Sequence, residues 1–342
     1  MADKTKIEWA DATLNYVNGC TRVSPGCVNC YAERLAATRM RNVASRAGLA
    51  EMTANGPRWT GKINIDERAL EQALRWRRPR RIFWNAHGDL FHEAVPDDAI
   101  DRLFAVCALT PHHTHMILTK RPARMRERMA NMATMGAPYW GHVLKGMLLD
   151  ALGGTPPPLW PLSNVWLGVS VEDQPRADER RADFAATKAA VKFVSYEPAL
   201  GPVNWAGWEF VNQIIGGGES GPKARPSHPD WQRATRDFCA PHGIAYFFKQ
   251  WGEWAPICEM SEDLTESIYH PAPAHSPEAS RRCKVDQCVL HRDGTRFDGR
   301  AMYEFGAFQH GSRAMTMFAV GKGRAGRLLD GVEHNEFPQT SA

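Results

Sequence analysis

Short apolar segments alternate with longer amphipathic segments along most of the chain. The apolar segments have the length and continuity of strands that are buried on both faces. They lie at residues 13–17, 81–84, 114–118, 164–169, 191–194, 211–215 and 244–248. The intervening pattern predicts helices at residues 31–40, 97–109, 123–135, 176–189 and 230–239. About seven repeated strand–helix units predict a parallel sheet that is covered by helices.

Polar or reactive residues follow each predicted strand. These strand ends carry residues 18–20, Asn85 and Asp89, Lys120 and Arg121, Ser170 and Glu172, Ser195 and Glu197, Gly216–Ser220, and Lys249 and Gln250. The active site of a parallel barrel is assembled from the C-terminal ends of many strands. An open doubly wound sheet usually binds its ligand at one switch point. We therefore predict an α/β fold with a parallel (β/α) barrel, full or partial, of the TIM-barrel type.

The alternation stops near residue 254. We assign residues 1–254 to the barrel domain, with an insertion near residues 41–80 that shows no clear period. Residues 255–342 are predicted to form an irregular C-terminal extension or a small cap. Cysteine and histidine residues in this part could also form a second metal site, although their spacing matches no strong ligand pattern. They are Cys258, Cys283, Cys288 and His291.

Composition restricts the class of protein. The chain has 342 residues, of which 43% are hydrophobic, as in ordinary globular proteins. No apolar stretch approaches the roughly 18 residues that a membrane span requires, and the N-terminus lacks the apolar core of a signal peptide. These features predict a cytoplasmic protein without a membrane partner. In that compartment, clustered cysteines indicate metal or redox chemistry more than disulfides.

The net charge of +4 permits an acidic partner. The segment Arg75–Arg81 interleaves arginines with Trp76, a pattern that suits a phosphate backbone and a stacked base. Nucleic acid is therefore one candidate partner. A solvated connection into the next strand is the simpler interpretation of this segment.

Three cysteines, Cys20, Cys27 and Cys30, lie in a loop that contains glycine and proline, between the first predicted strand and helix. No fourth cysteine is nearby. A structural zinc site takes four protein ligands, and a simple electron-transfer iron–sulfur cluster usually takes four thiolates. Three thiolates therefore predict a metal centre with one open position. A [4Fe-4S] cluster is favoured; zinc with a further ligand from elsewhere, or cysteines that serve only as small apolar residues, are the alternatives.

The position of this loop resembles that of the cluster-binding loop in radical S-adenosylmethionine enzymes. The resemblance implies that the three thiolates hold a [4Fe-4S] cluster, which binds S-adenosylmethionine and receives an electron from a reductant. The superfamily usually has the spacing C-x3-C-x2-C and an aromatic residue before the third cysteine. Here the first gap is six residues, Asn29 takes the aromatic position, and Tyr31 follows.

The glycine-rich run Gly216–Glu219 is not assigned the role of the superfamily's glycine–glycine–glutamate motif. That motif follows the second strand of the superfamily fold, whereas this run follows the sixth predicted strand. The corresponding second-strand position here is Asn85–Asp89. Successive glycines in the run would still allow a backbone to approach a ligand closely.

Other strand-end side chains are candidates for binding the cosubstrate or for catalysis. Carboxylates on neighbouring strand ends repel one another unless a cation or a polar ligand joins them. A functional pocket would supply such a ligand. The candidates for cofactor binding are Asn85, Asp89, Ser170, Glu172 and Glu197, and the candidates for catalysis are Lys120, Glu197 and Glu219.

Several stretches together resemble a family of unknown function that is known from bacteriophages and bacterial genomes. They are Ile7–Thr13, Gly19–Glu33, Asp89–His92, Leu118–Pro122, Val165–Glu172, Glu197-Pro198, Gly217–Gly221 and Phe248–Glu253. The resemblance covers most of the chain, but the family implies no particular reaction.

The sequence therefore favours an iron–sulfur enzyme of the radical S-adenosylmethionine type. Its partners would be S-adenosylmethionine and a reductant, and its substrate a nucleic acid or a nucleotide that is modified or repaired. A zinc-dependent hydrolase or nuclease that uses the same three cysteines is one alternative. A non-catalytic protein that binds nucleic acid is another.

Overall fold

A computed structural model describes residue 5 and residues 7–145, 160–272 and 281–339. The remaining positions of the predicted divisions 1–254 and 255–342 lie outside the described residues. The described strands are β1 Ala12–Leu14, β2 Val17–Asn18, β3 Ala50–Thr53, β4 Gly56–Trp59, β5 Asn64–Ile65, β6 Arg81–Trp84, β7 Thr114–Thr119, β8 Val165–Ser170, β9 Val191–Tyr196, β10 Gln213–Gly217, β11 Ala245–Gln250, β12 Ala255–Pro256, β13 Gln287–Leu290, β14 Arg296–Asp298 and β15 Met315–Phe318. The described helices are α1 Tyr31–Ala37, α2 Arg68–Arg75, α3 Asp97–Leu109, α4 Pro122–Lys145, α5 Gln174–Ala186, α6 Pro229–Cys239, α7 Glu262–Ser267 and α8 Lys322–Ala325.

Seven of these strands form one parallel sheet, in the order β1-β6-β7-β8-β9-β10-β11. The strands lie in the sheet in the same order as in the sequence. Each connection therefore places the next strand beside the one before it, always in the same direction across the sheet. The sheet curls into a half-barrel that is flanked by helices. The predicted parallel α/β sheet is therefore confirmed, and its described strands form a half-barrel in which β1 and β11 are the two ends.

The two faces of the sheet pack into different clusters because side chains alternate along each strand. The convex face packs against the helices in the main core, which includes Ile82, Leu167 and Ile214. The concave face carries a smaller aromatic cluster that includes Phe83, Phe193 and Phe247. Residues before β1 also contribute to the concave cluster. Trp9 lies against Phe83 with ring centroids 4.6 Å apart.

A later segment of the chain covers the free edge of β11. Asn335 forms an antiparallel bridge with Phe247, and the backbone N–H of Phe248 donates to the carbonyl of His334 at 2.9 Å. Phe337 packs on Phe247 with ring centroids 5.5 Å apart. These bonds satisfy backbone groups that an exposed edge strand would leave unpaired.

The predicted boundaries of the first strand are wrong. The chain leaves the main sheet after Leu14, and β2 pairs antiparallel with β5. The C-terminal part, predicted as an irregular extension or a small cap, contains regular structure. There, β12-β15-β13-β14 form an antiparallel sheet, and Cys288 is fully buried in it. No helix among the described residues is long and apolar enough to cross a bilayer.

A buried histidine gives the fold a specific pH dependence. Burial, followed by the charge of His113, lowers the pKa of His115 to about 3. The indole N–H of Trp84 donates to His115 Nδ1 at 3.0 Å, which requires the neutral imidazole. The unfolded chain protonates this group near pH 6.5, so the folded state is destabilised as the pH falls from about 6.5 toward 3.

We expect the substitution His115→Gln to reduce the slope of unfolding free energy against pH between about 6.5 and 4.5. The reduction should approach about 1.4 kcal/mol per pH unit, which is the contribution of one proton. Urea denaturation at several pH values measures this slope. The exposed neighbour His112, changed to glutamine, is the control, and equal slopes in the two variants would contradict the prediction.

Candidate functional site at the cysteine loop

The cysteine loop begins at the C-terminal end of the parallel sheet. Gly19 forms a bridge with Gly88, which lies beyond β6, and its N–H donates to the carbonyl of His87 at 3.0 Å. Gly19 has a φ of +95°, and a Cβ there would lie 2.2 Å from the carbonyl oxygen of Lys62. Only glycine fits both conditions. The loop is therefore fixed between the end of β6 and the segment before β5.

The three cysteines are free thiols and partly buried. Cys27 ends a short 3-10 turn that begins at Pro25, and Cys30 immediately precedes α1. Burial, followed by the charge of Asp89, raises the pKa of Cys20 to about 12. Burial also raises the pKa of Cys30, although backbone N–H groups of α1 partly offset this effect. The charge of Cys27 contributes to the raised pKa of both Cys20 and Cys30.

Arg121, just after β7, holds the first part of the loop. Its guanidinium donates to Thr21 Oγ1 at 2.7 Å, to Asp89 Oδ2 at 3.0 Å and to Glu93 Oε2 at 2.9 Å. Its Nη1 also lies 3.7 Å from Cys20 Sγ. One side chain thus joins the ends of β6 and β7 to the first cysteine.

Glu172, just after β8, holds the middle of the loop and is fully buried. Its carboxylate accepts from Ser24 Oγ at 2.7 Å and pairs with Lys120 at 2.7 Å and Arg180 at 2.9 Å. Burial alone would raise the pKa of Glu172, but the two cations outweigh it and the pKa is lowered. Ser24 is therefore bound to a group whose charged form is favoured.

Glu219, just after β10, holds the last part of the loop. It accepts from Asn29 Nδ2 at 3.0 Å and from the backbone N–H and Nε of Arg225 at 2.9 and 2.8 Å. Asn29 also donates to the carbonyl of Lys223 at 2.8 Å. The residue before the third cysteine is thus an anchor of the loop.

Glu197, just after β9, makes one ion pair among the described residues, with Lys249 of β11 at 3.2 Å. The pair spans the intervening strand at Gly217, where a Cβ would lie 2.7 Å from Glu197 Oε1. Burial raises the pKa of Glu197, and Lys249 offsets it only in part. Tyr31, which starts α1, lies within electrostatic range of both Cys30 and Glu197.

Glu172 and Glu197, which follow the adjacent strands β8 and β9, therefore have pKa values shifted in opposite directions. Glu219 and Lys120 already have close partners in Arg225 and Glu172. Glu197 has its partner Lys249 at the longer distance of 3.2 Å, so it is the most weakly paired of the three catalytic candidates.

The other predicted cofactor-binding residues also lie at this end of the sheet. Asp89 accepts from Thr119 Oγ1 at 2.7 Å as well as from Arg121, and Ser170 is the buried last residue of β8. Asn85 has a φ of +61°, and its Oδ1 accepts from the N–H of Val17 at 2.7 Å. Its Nδ2 is buried and has no hydrogen-bond partner among the described residues. Asn85 thus offers an unused donor.

Within the described parts of the chain, no group of three or more His, Cys, Asp or Glu side chains is placed to hold a single metal ion. Neither the three cysteines of the loop nor the C-terminal residues considered as a second metal site form such a group. The thiol of Cys258 contacts Arg233 at 3.6 Å, whereas the imidazole of His291 bonds to the carbonyl of Ala307 at 2.9 Å. These side chains have separate structural roles.

A family model described as a protein of unknown function, DUF5131, matches residues 4–338. The chain belongs to this family. The match covers the cysteine loop, the half-barrel and the antiparallel sheet, so the DUF5131 family extends over both sheets. No curated protein and no solved structure is significantly similar to the chain.

Two features of this DUF5131 protein were not predicted from the sequence. Arg180 is buried beside Glu172, and the spacing of Ala177, Arg180 and Phe184 on the buried side of α5 could have revealed it. The second feature is the close packing of the glycine run Gly216–Glu219 against another segment of the same chain. A Cβ at Gly218 would lie 1.9 Å from the carbonyl oxygen of Trp251, so this glycine is required by packing.

Proposed function

We propose that this chain is an iron–sulfur enzyme of the radical S-adenosylmethionine type that modifies or repairs a nucleic acid or a nucleotide. The observation that carries the proposal is the anchored cysteine loop. Three free thiols lie on one loop at the C-terminal end of a parallel half-barrel, and three strand ends hold that loop through Arg121, Glu172 and Glu219.

Three cysteine thiolates fit a [4Fe-4S] cluster in which the protein binds three of the four irons. Three other cysteines are buried within α3, α6 and β13, at Cys107, Cys239 and Cys288, away from the loop. Zinc held by the same three thiolates and a water is the alternative, and the metal content of the purified protein decides between them.

The bound cluster would supply the electron that cleaves a carbon–sulfur bond of S-adenosylmethionine. The chain itself would orient the cosubstrate and exclude water. Asn85 offers its unpartnered Nδ2 as a donor, and Glu197 offers a carboxylate that can hold or accept a proton. Arg121 holds Thr21 and lies beside Cys20, which fixes the first thiol.

An open groove of about 380 Å³ lies beside the loop, although none of the three cysteines lines it. It extends from Val23 to the beginning of α4 and includes both cations and carboxylates, among them Arg121, Arg180 and Asp183. Such a mixture suits a ligand with both an amino and a carboxylate group.

Anaerobic reconstitution tests the proposal. We expect one [4Fe-4S] cluster per chain and release of 5′-deoxyadenosine when reductant and S-adenosylmethionine are added. Alanine at Cys20, Cys27 or Cys30 should abolish cluster binding, because each removes one of three thiolates. The buried Cys107, changed to alanine, is the matched control and should leave iron content unchanged. Stoichiometric zinc without iron would contradict the proposal and favour the hydrolase.

A further inference from the structure

A concentration of positive charge follows the cysteine loop. Residues 34–62 contain six cations and one acidic residue, Glu51, so this segment carries +5 whereas the whole chain carries +4. We call residues 34–62 the basic wing. Its cations are Arg34, Arg39, Arg41, Arg46, Arg58 and Lys62.

The basic wing borders the cysteine loop. Arg22 of the loop donates to the carbonyl of Pro57 at 3.1 Å, and the backbone N–H of Trp59 donates to Glu33 at 2.8 Å. The carbonyl of Lys62 lies against Gly19. The wing is thus held directly beside the three thiols.

The charges of the wing are available to a partner. Arg39, Arg41 and Lys62 are exposed, and none of the three makes an ion pair with a described residue. Tyr31, between the cysteine loop and the wing, is 46% exposed. Unpaired cations beside an exposed aromatic ring suit phosphates and a stacked base.

The basic segment singled out in the sequence lies elsewhere. Arg75–Arg81 precedes and begins β6, so it lies at the N-terminal end of the sheet, opposite the cysteine loop. Arg80 lies over Trp76 at 4.5 Å and Arg81 over Phe337 at 4.0 Å. A ligand bound by this segment would not reach the thiols.

We propose that the basic wing binds the phosphate backbone of a single-stranded nucleic acid and presents one nucleotide to the C-terminal end of the half-barrel. This inference deepens the proposed function and rests on it for the chemistry. The binding surface itself is independent of the metal. A single strand is favoured because an exposed ring can stack on a base only where that base is unpaired.

Fluorescence anisotropy of labelled single-stranded DNA and RNA, across a range of salt concentrations, tests the surface on the full chain. The triple variant Arg39→Gln, Arg41→Gln, Lys62→Gln should bind at least about tenfold more weakly at low salt. Its log–log salt slope should fall by roughly 2, because each lost phosphate contact removes about 0.7. The charge-matched triple variant Arg75→Gln, Arg77→Gln, Arg78→Gln should bind like the wild type.

Three results would overturn the inference: no binding by the wild type at low salt, an equal loss in both triple variants, or competition by polyglutamate as effective as that by the oligonucleotide. The variant Cys20→Ala separates this inference from the proposed function. Binding that survives in Cys20→Ala supports the surface even if no cluster forms. A wild-type protein that cleaves S-adenosylmethionine but binds no nucleic acid would refute the surface alone.

Discussion

Replacing Glu172 by glutamine is expected to lower the free energy of unfolding by about 3–5 kcal/mol. Glutamine has nearly the same shape but cannot neutralise the two cations that the carboxylate joins, Lys120 and Arg180. The Arg180 side chain is only 1% exposed, so water cannot replace the lost charge. The loss of one partner from a buried ion pair leaves an uncompensated charge, which is the costly event.

Denaturant unfolding of the wild type and the variant measures this effect. Glu179→Gln is the matched control, since Glu179 lies on the same helix as Arg180, is 60% exposed and pairs with Arg176. Its effect should stay within about 0.5 kcal/mol. A loss below about 1 kcal/mol in Glu172→Gln would show that Lys120 and Arg180 are solvated, and would remove Glu172 as the anchor of Ser24.

Replacing Arg121 by methionine is expected to weaken iron retention by about 10–100-fold, the usual effect of losing a residue that orients a metal ligand. Methionine retains much of the length and apolar character of the side chain but loses every hydrogen bond to Thr21, Asp89 and Glu93. The contact with Cys20 Sγ is lost as well. Cys20 would then no longer be held in place before it binds iron. Iron binding would therefore also have to order the cysteine, at a cost in conformational entropy.

Competition with a chelator, followed by the absorbance of the cluster, measures iron retention without an activity assay. Arg126→Met is the control, because Arg126 lies on the same helix, is 50% exposed and pairs with Asp183. Circular dichroism of both variants separates weaker binding from unfolding. Equal iron retention in Arg121→Met and Arg126→Met would show that Arg121 does not position the loop.

The sequence is most informative where local pattern and tertiary environment agree. Strands such as β6 are apolar because both faces of a parallel sheet are covered, and the predicted limits of β6 and α3 equal the observed ones. The first strand was harder to place. Just after Leu14, the side chain of Asn15 accepts from the N–H of His87, a partner far along the chain that no local pattern indicates.

At the candidate site, too, some features could be predicted from the sequence and others could not. That several polar groups gather at one end follows from the parallel arrangement of the strands, so Asp89, Glu172 and Glu197 could be predicted together. The hydrogen-bond and ion-pair partners of these side chains could not be predicted. Asn29 meets Glu219 only because the cysteine loop crosses from β1 toward β10. The antiparallel sheet was missed because β12 to β15 are only two to four residues long, which is too short for a clear alternation.

The pairing of β11 with the segment around residue 335 has a consequence for synthesis on the ribosome. Because strand order follows chain order, each strand of the half-barrel can join the sheet soon after it emerges. The last edge cannot be covered until Asn335 has left the exit tunnel. Nascent chains that stop after β11 but before residue 335 carry an uncovered parallel edge, whose unpaired backbone groups can pair with another chain.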